Sequence, residues 1–120
     1  MDKKIFNALS EIVNIPYKTI SFFAKITNTS YEMFFYLDDG TDKMQCYEMA
    51  EKGMLDENEL DRIFGNIAKE FKAMDDFDAE LMSIISFVMD TNKVLEFEVK
   101  KYDKSEKVQG LKKQWISEHI

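Results

Sequence analysis

Apolar residues between Asp2 and Asn14 fall at Ile5, Phe6, Leu9, Ile12 and Val13. This i, i+1, i+4, i+7, i+8 stripe predicts an amphipathic helix, which Pro16 should end. The period then changes. From Thr19 to Thr27, Ile20, Phe22, Ala24 and Ile26 alternate with Thr19, Ser21, Lys25 and Thr27, which predicts a strand whose polar side is interrupted by Phe23. A second strand is predicted over Tyr31 to Leu37, with Tyr31, Met33, Phe35 and Leu37 on one face and the aromatic Phe34 and Tyr36 on the other. Asp38-Asp39-Gly40-Thr41 carries the Asp-Gly pair that tolerates a tight hairpin, so Lys43 to Tyr47 should return as a third antiparallel strand.

Leu60, Ile63, Phe64, Ile67, Ala68, Phe71 and Met74 keep helical spacing and predict the central helix. Its start is marked three times. Asp56 can cap it, Glu59 can reach back to the Asp56 amide, and Leu55 can staple onto Leu60. Gly65 within it costs about 1 kcal/mol relative to Ala, a cost more simply tolerated than required by a close neighbour. Leu81 to Met89, the turn residues Asp90 to Lys93, and the alternating Val94 to Lys101 read as a second hairpin. In it Leu95, Phe97 and Val99 should point to the core while Glu96, Glu98 and Lys100 face water. A last helix is predicted from about Ser105, with Val108, Leu111, Trp115 and His119 or Ile120 on one stripe. The order α-β-β-β-α-β-β-α is that of an α+β fold: a single domain over residues 1–120, its antiparallel sheet built from a three-strand meander plus a hairpin. N-terminal, central and C-terminal helices are expected against one face of the sheet.

Composition narrows the chemistry. A chain of 120 residues with 45% hydrophobic and 32% charged residues has enough material for one core and lies far from disordered sequences. Its formal net charge of −7 disfavours direct binding to a phosphate backbone and favours a basic partner. One cysteine, Cys46, and one histidine, His119, leave too few ligands for zinc and too few parts for familiar nucleophilic catalysis. Cys46 reads as a buried small hydrophobe in the third strand. The isolated glycines form no phosphate loop, and Asp38, Asp39 and Asp42 lack the spacing of a calcium loop, so no cofactor or metal is expected. Glu96 and Glu98 would serve as a catalytic pair only if they turned inward, against the alternation of their strand. No secretory h-region and no membrane-length apolar run is present, which makes the cytoplasm the expected compartment.

The acidity is localised. Glu48 to Glu80 holds eleven acidic and four basic residues, a balance equal to that of the whole chain, whereas Lys93 to Ile120 is slightly basic. Two readings stay open: a solubilising surface, or an acidic docking face that steers a basic partner, with Glu57, Asp61, Asp75, Asp76 and Asp78 as its candidate residues.

Several stretches resemble the YezG-like immunity protein family, antitoxins of bacterial polymorphic toxin systems. They are Ile15-Pro16-Tyr17 leading into Ala24-Lys25-Ile26, then Phe34-Phe35-Tyr36, and Leu55-Asp56-Glu57-Asn58-Glu59-Leu60-Asp61 at the start of the central helix. Phe97-Glu98-Val99 with Tyr102-Asp103, and Lys112-Lys113-Gln114-Trp115-Ile116, resemble the family's closing strand and last helix. Tyr17 and Phe77 stand near places where members usually carry tryptophan. The resemblance spans essentially the whole chain. It implies a non-enzymatic protein that binds and neutralises a cognate toxin, commonly a nuclease, by covering its active site or binding beside it. The alternative from the residues alone is a self-associating scaffold module, a homodimer built on the aromatic second strand or the methionine-rich faces.

Overall fold

A computed structural model describes residues 1–120. Strand β1 (Thr19–Ile26) is the centre of the sheet, because it pairs antiparallel with both β2 (Tyr31–Asp38) and β4 (Leu81–Met89). Phe22 stands opposite Phe35 and Phe87, and Phe23 opposite Phe34 and Ser86. Side chains of paired residues share a face, so the register sorts the aromatic residues into two sets. β3 (Lys43–Gln45) extends the sheet beyond β2, and β5 (Val94–Asp103) extends it beyond β4, giving the antiparallel order β3-β2-β1-β4-β5. The α+β order expected from the pattern is the observed one, with one helix added.

That helix is α2 (Cys46–Glu51), where the sequence pattern predicted strand. The third strand stops at Gln45, whose side chain accepts a hydrogen bond from the Tyr47 amide and caps the helix. Cys46 and Met49, three apart, are its buried residues, a helical rather than an alternating spacing. Between β2 and β3, Gly40 adopts φ +95°, and Asp38 and Asp39 accept hydrogen bonds from the Gly40, Thr41 and Asp42 amides. These carboxylates close a turn, as their Asp-Gly pair suggested.

Helices cover both faces of the sheet, not one. On the first face α3 (Glu57–Lys72) buries Leu60, Ile63, Phe64, Ile67, Ala68 and Phe71, with Phe64 against Phe22 and Phe35. Helix α1 (Asp2–Ile12) packs beside α3 through Ile5, Leu9 and Ile12. On the other face α4 (Val108–His119) lays Trp115 edge-on against Phe23 and Phe34. Phe23 and Phe34, the residues that spoiled the polar side of their strands, are the reason. Left open to water they would form an apolar patch, and the last helix buries them to 0% and 4% exposure.

Asp56 caps α3 by accepting from the Asn58 and Glu59 amides, but Glu59 does not close the reciprocal box. Its carboxylate goes instead to Arg62, which also reaches Glu11 of α1. No helix is long and apolar enough to cross a membrane.

Candidate partner-binding face

Both ends of α3 carry the acidic residues singled out from the sequence. Glu57 and Asp61, four apart on the first turns, are exposed at its N-terminal end. Asp75 and Asp76 are exposed in the connection after its C-terminal end, and Asp78 is half-buried there, accepting from the Glu80 amide. Sixteen helical residues hold the two groups apart, roughly 20 Å at the α-helical rise. The fold therefore gathers the five carboxylates into two groups. No set of three His, Cys, Asp or Glu side chains converges in the geometry of a metal site.

At the N-terminal end, charge meets exposed aromatic surface that charge counting alone could not find. Tyr31, first residue of β2, is 43% exposed, and Tyr47 on α2 is 41% exposed. Tyr47 is held rigidly: its ring packs edge-on against Phe64 and its hydroxyl donates to the Met33 carbonyl at 2.9 Å. Its phenol is pushed up to about 12 by burial, with smaller contributions from Cys46, Asp61, Tyr31 and Glu32. Asp61 and the two tyrosines thus share one neighbourhood, with Glu57 one turn away. Tyr31 and Tyr47 were both visible in the sequence, but the strand expected at Tyr47 hid its position.

Cys46 is fully buried, and burial pushes its thiol up to about 12 although the Phe35 amide donates to Sγ. That is an inert thiol, as expected, but it sits in a helix rather than a strand.

A second cluster lies on the α4 face. Trp115 Nε1 donates to Ser86 Oγ at 2.8 Å, and Ser86 Oγ donates to Glu96 Oε2 at 2.8 Å. His119 Nε2 stands 2.9 Å from the same Glu96 oxygen and 3.3 Å from Ser86 Oγ, while His119 Nδ1 lies 2.9 Å from the Trp115 carbonyl. Glu98, Lys100, Tyr102 and Glu118 line the adjoining cleft of about 200 Å³. Glu96 is exposed, as the alternation of its strand predicts, and α4 brings His119 against it on that face. Leu95 and Phe97, expected in the core, are 48% and 38% exposed. β5 is the outermost strand, and a register shift at Met89 leaves Leu95 without a cross-strand partner.

Serine, histidine and glutamate side by side suggest nucleophilic chemistry, but the connectivity differs. In a Ser-His-acid triad the acid holds the imidazole nitrogen remote from the serine. Here Glu96 and Ser86 meet the same Nε2, the other nitrogen is engaged by a backbone carbonyl, and the single Ser86 proton is directed at Glu96. The Trp115 and His119 bonds join α4 to β4 and β5 or to itself, and the Ser86–Glu96 bond ties those two strands beneath it, so the cluster fastens the helix.

Compared with known protein families and with curated proteins, the chain matches none.

Proposed function

We propose that this chain is an immunity protein, or antitoxin, that neutralises a cognate basic toxin by protein–protein interaction and performs no catalysis. The observation that carries the reading is the setting of two exposed tyrosines, Tyr31 and Tyr47, in the neighbourhood of Asp61, with Glu57 one helical turn further along α3. Aromatic anchors within a polar rim are the usual energetic centre of a protein interface. A nuclease toxin holds phosphates with cationic surface, and an acidic rim is complementary to it. Charge then raises the rate of encounter while the tyrosines set the lifetime of the complex. Asp75, Asp76 and Asp78, roughly 20 Å away along α3, fall within reach of the same partner, since a standard interface covers about 800 Å² on each side. The resemblance to YezG-like immunity proteins points the same way, and this reading expects the encounter in the bacterial cytoplasm.

The rival is a self-associating module without a toxin partner. Its aromatic basis is reduced, because Phe34 is buried under Trp115 and Lys112. A pull-down with the full chain as bait, joined to co-expression with the product of the neighbouring gene, separates the two readings. Recovery of a basic protein that kills cells alone, and is relieved by this chain, supports immunity; recovery of the bait alone supports the module. With the toxin in hand, reversing Glu57, Asp61 and Asp76 to Lys should slow association severalfold at low salt, with the fold intact by circular dichroism. An unchanged on-rate would remove the acidic face from the reading.

A further inference from the structure

The two edges of the sheet are unequal. β3 is three residues long, whereas β5 presents ten residues with Leu95 and Phe97 exposed. A long open edge offers unpaired backbone donors and acceptors to any extended segment, and proteins ordinarily blunt it with charge. β5 is charged, but its charge changes sign along one face: Glu96 and Glu98, then Lys100, followed by Tyr102, paired in turn with Val88, Ser86, Ile84 and Met82 of β4. Such an order can repel a second copy in one register and attract it in another.

We propose that β5 is a homodimerisation edge, pairing antiparallel with β5 of a second copy about a two-fold axis at Val99. Two-fold pairing that continues both sheets keeps each face with its like, so only alternate registers are available. Centring on Phe97 sets Glu96 opposite Glu98 twice; centring on Glu98 pairs Glu96 with Lys100 but sets Glu98 against itself at the axis; centring on Lys100 sets that lysine against itself. Centring on Val99 sets Glu98 opposite Lys100 of the second copy at both symmetry-related positions. It also brings Glu96 opposite Tyr102, and Phe97 opposite Lys101, whose Nζ is already held by the Asp76 carbonyl. No like charges face each other directly, and the Glu98–Lys100 contact within one strand, now 3.2 Å, becomes part of a four-charge row. The occupant this edge fits is thus its own copy. β5 lies at the opposite edge of the sheet from β3, away from Tyr31 on β2, although its Lys101 meets Asp76 of the second acidic group; self-association is measured on the chain alone, so its failure leaves the toxin reading standing.

Sedimentation of the full chain from micromolar to near-millimolar concentration should show a monomer–dimer equilibrium. Glu98→Lys or Lys100→Glu alone places like charges opposite each other twice and should raise the dissociation constant about tenfold. The double variant Glu98→Lys with Lys100→Glu restores complementarity and should return the dimer. Register is read by Val99→Cys, because the two-fold brings the two Cα atoms to about 4.5–5.5 Å, within disulfide range. Mild oxidation should cross-link it and leave Glu98→Cys uncoupled, with buried Cys46 giving no background. Both charged side chains are more than half exposed, so the variants should fold, as circular dichroism would verify. A monomer at every concentration, a dimer indifferent to the single reversals, or equal cross-linking at 98 and 99 would overturn the proposal.

Discussion

Helices α3 and α4 cover opposite faces of one sheet by different means. α3 buries six side chains, is capped by Asp56, and seats Phe64 among the aromatic residues of β1 and β2. α4 buries one, Trp115, and has no side-chain cap at its N-terminus. Around that anchor it adds the half-buried Val108, Leu111, Ile116 and Ile120 and polar contacts of small individual worth: Lys112 near Glu32 at 3.0 Å, Lys43 donating to the Ile120 carbonyl, and the Ser86–Glu96–His119 cluster. Non-directional burial spread over six residues fails only when the domain fails. One buried anchor with half-buried neighbours and polar fastenings can release its helix alone. The comparison separates the part of the molecule that is the fold from the part that is attached to it.

Truncation at the two centres tests this most severely. Phe22 has no exposure and touches both Phe64 and Phe87. Phe22→Ala should cost about 3–5 kcal/mol, a large share of the total stability of a domain this size, with the loss spread over every amide. Trp115→Ala removes a similar volume, but its cost is capped by the free energy of detaching α4, so we expect about 2–3 kcal/mol at the low end of such truncations. Hydrogen exchange is the discriminating measurement. Protection should collapse over residues 108–119 in the second variant while residues 57–72 stay protected. Uniform loss in both would mean that α4 is as integral as α3.

How far this division was legible in the sequence depends on how many residues carried each signal. α3 was readable because seven apolar positions repeat its period and Asp56 marks its start, so no single exception could hide it. The hairpin of β4 and β5 was readable from Asp90 to Lys93, where Asp90 accepts from the Asn92 and Lys93 amides as turn residues do. The second layer was only half written: Phe23, Phe34 and Trp115 were each visible, but nothing local to any of them says that they meet. That meeting is set by strand register and by the path of the last helix, which are tertiary facts. α2 was hidden by its six-residue length, too short for a period to declare itself. Of the candidate docking face, the carboxylates were read by counting, while Tyr47 was hidden because its segment read as strand and is helix α2. For Glu96, alternation told which face the exposed side chain takes, not that the last helix would bring His119 to it.

Gly65 offers a gentler test on the α3 side. A Cβ built there meets only the Tyr31 hydroxyl, at the ordinary contact distance of 3.6 Å, so the cost of glycine is tolerated and not required by packing. Gly65→Ala should stabilise the domain by about 0.5–1 kcal/mol, seen as a higher urea midpoint at unchanged slope. A destabilised variant would mean that Tyr31 cannot give way, and would tie the exposed tyrosine to the core more tightly than its position suggests.

The smallest effect belongs to the polar fastening of α4, and pH isolates it. Burial acts to raise the Glu96 carboxyl, but hydrogen bonds from His119 and Ser86 and the charge of His119 outweigh it, leaving the carboxyl below its ordinary value. A carboxyl lowered in the folded state binds its proton less readily there than in the unfolded chain. Its stabilising share is therefore complete above the ordinary carboxylate range and is lost as pH falls through that range toward the folded value. The side chain is 46% exposed, so solvent screening holds this share below about 1 kcal/mol. Glu96→Gln removes the charge at every pH. The difference in urea stability between the parent and this variant, followed from about pH 6 down to about pH 3, should shrink toward zero in acid. If Glu96 does fasten α4, the same loss should appear in the exchange of residues 108–119 and not in α3. A difference that stays constant with pH would remove Glu96 from the fastenings and leave α4 to Trp115, its half-buried apolar neighbours and the Lys112 and Lys43 contacts.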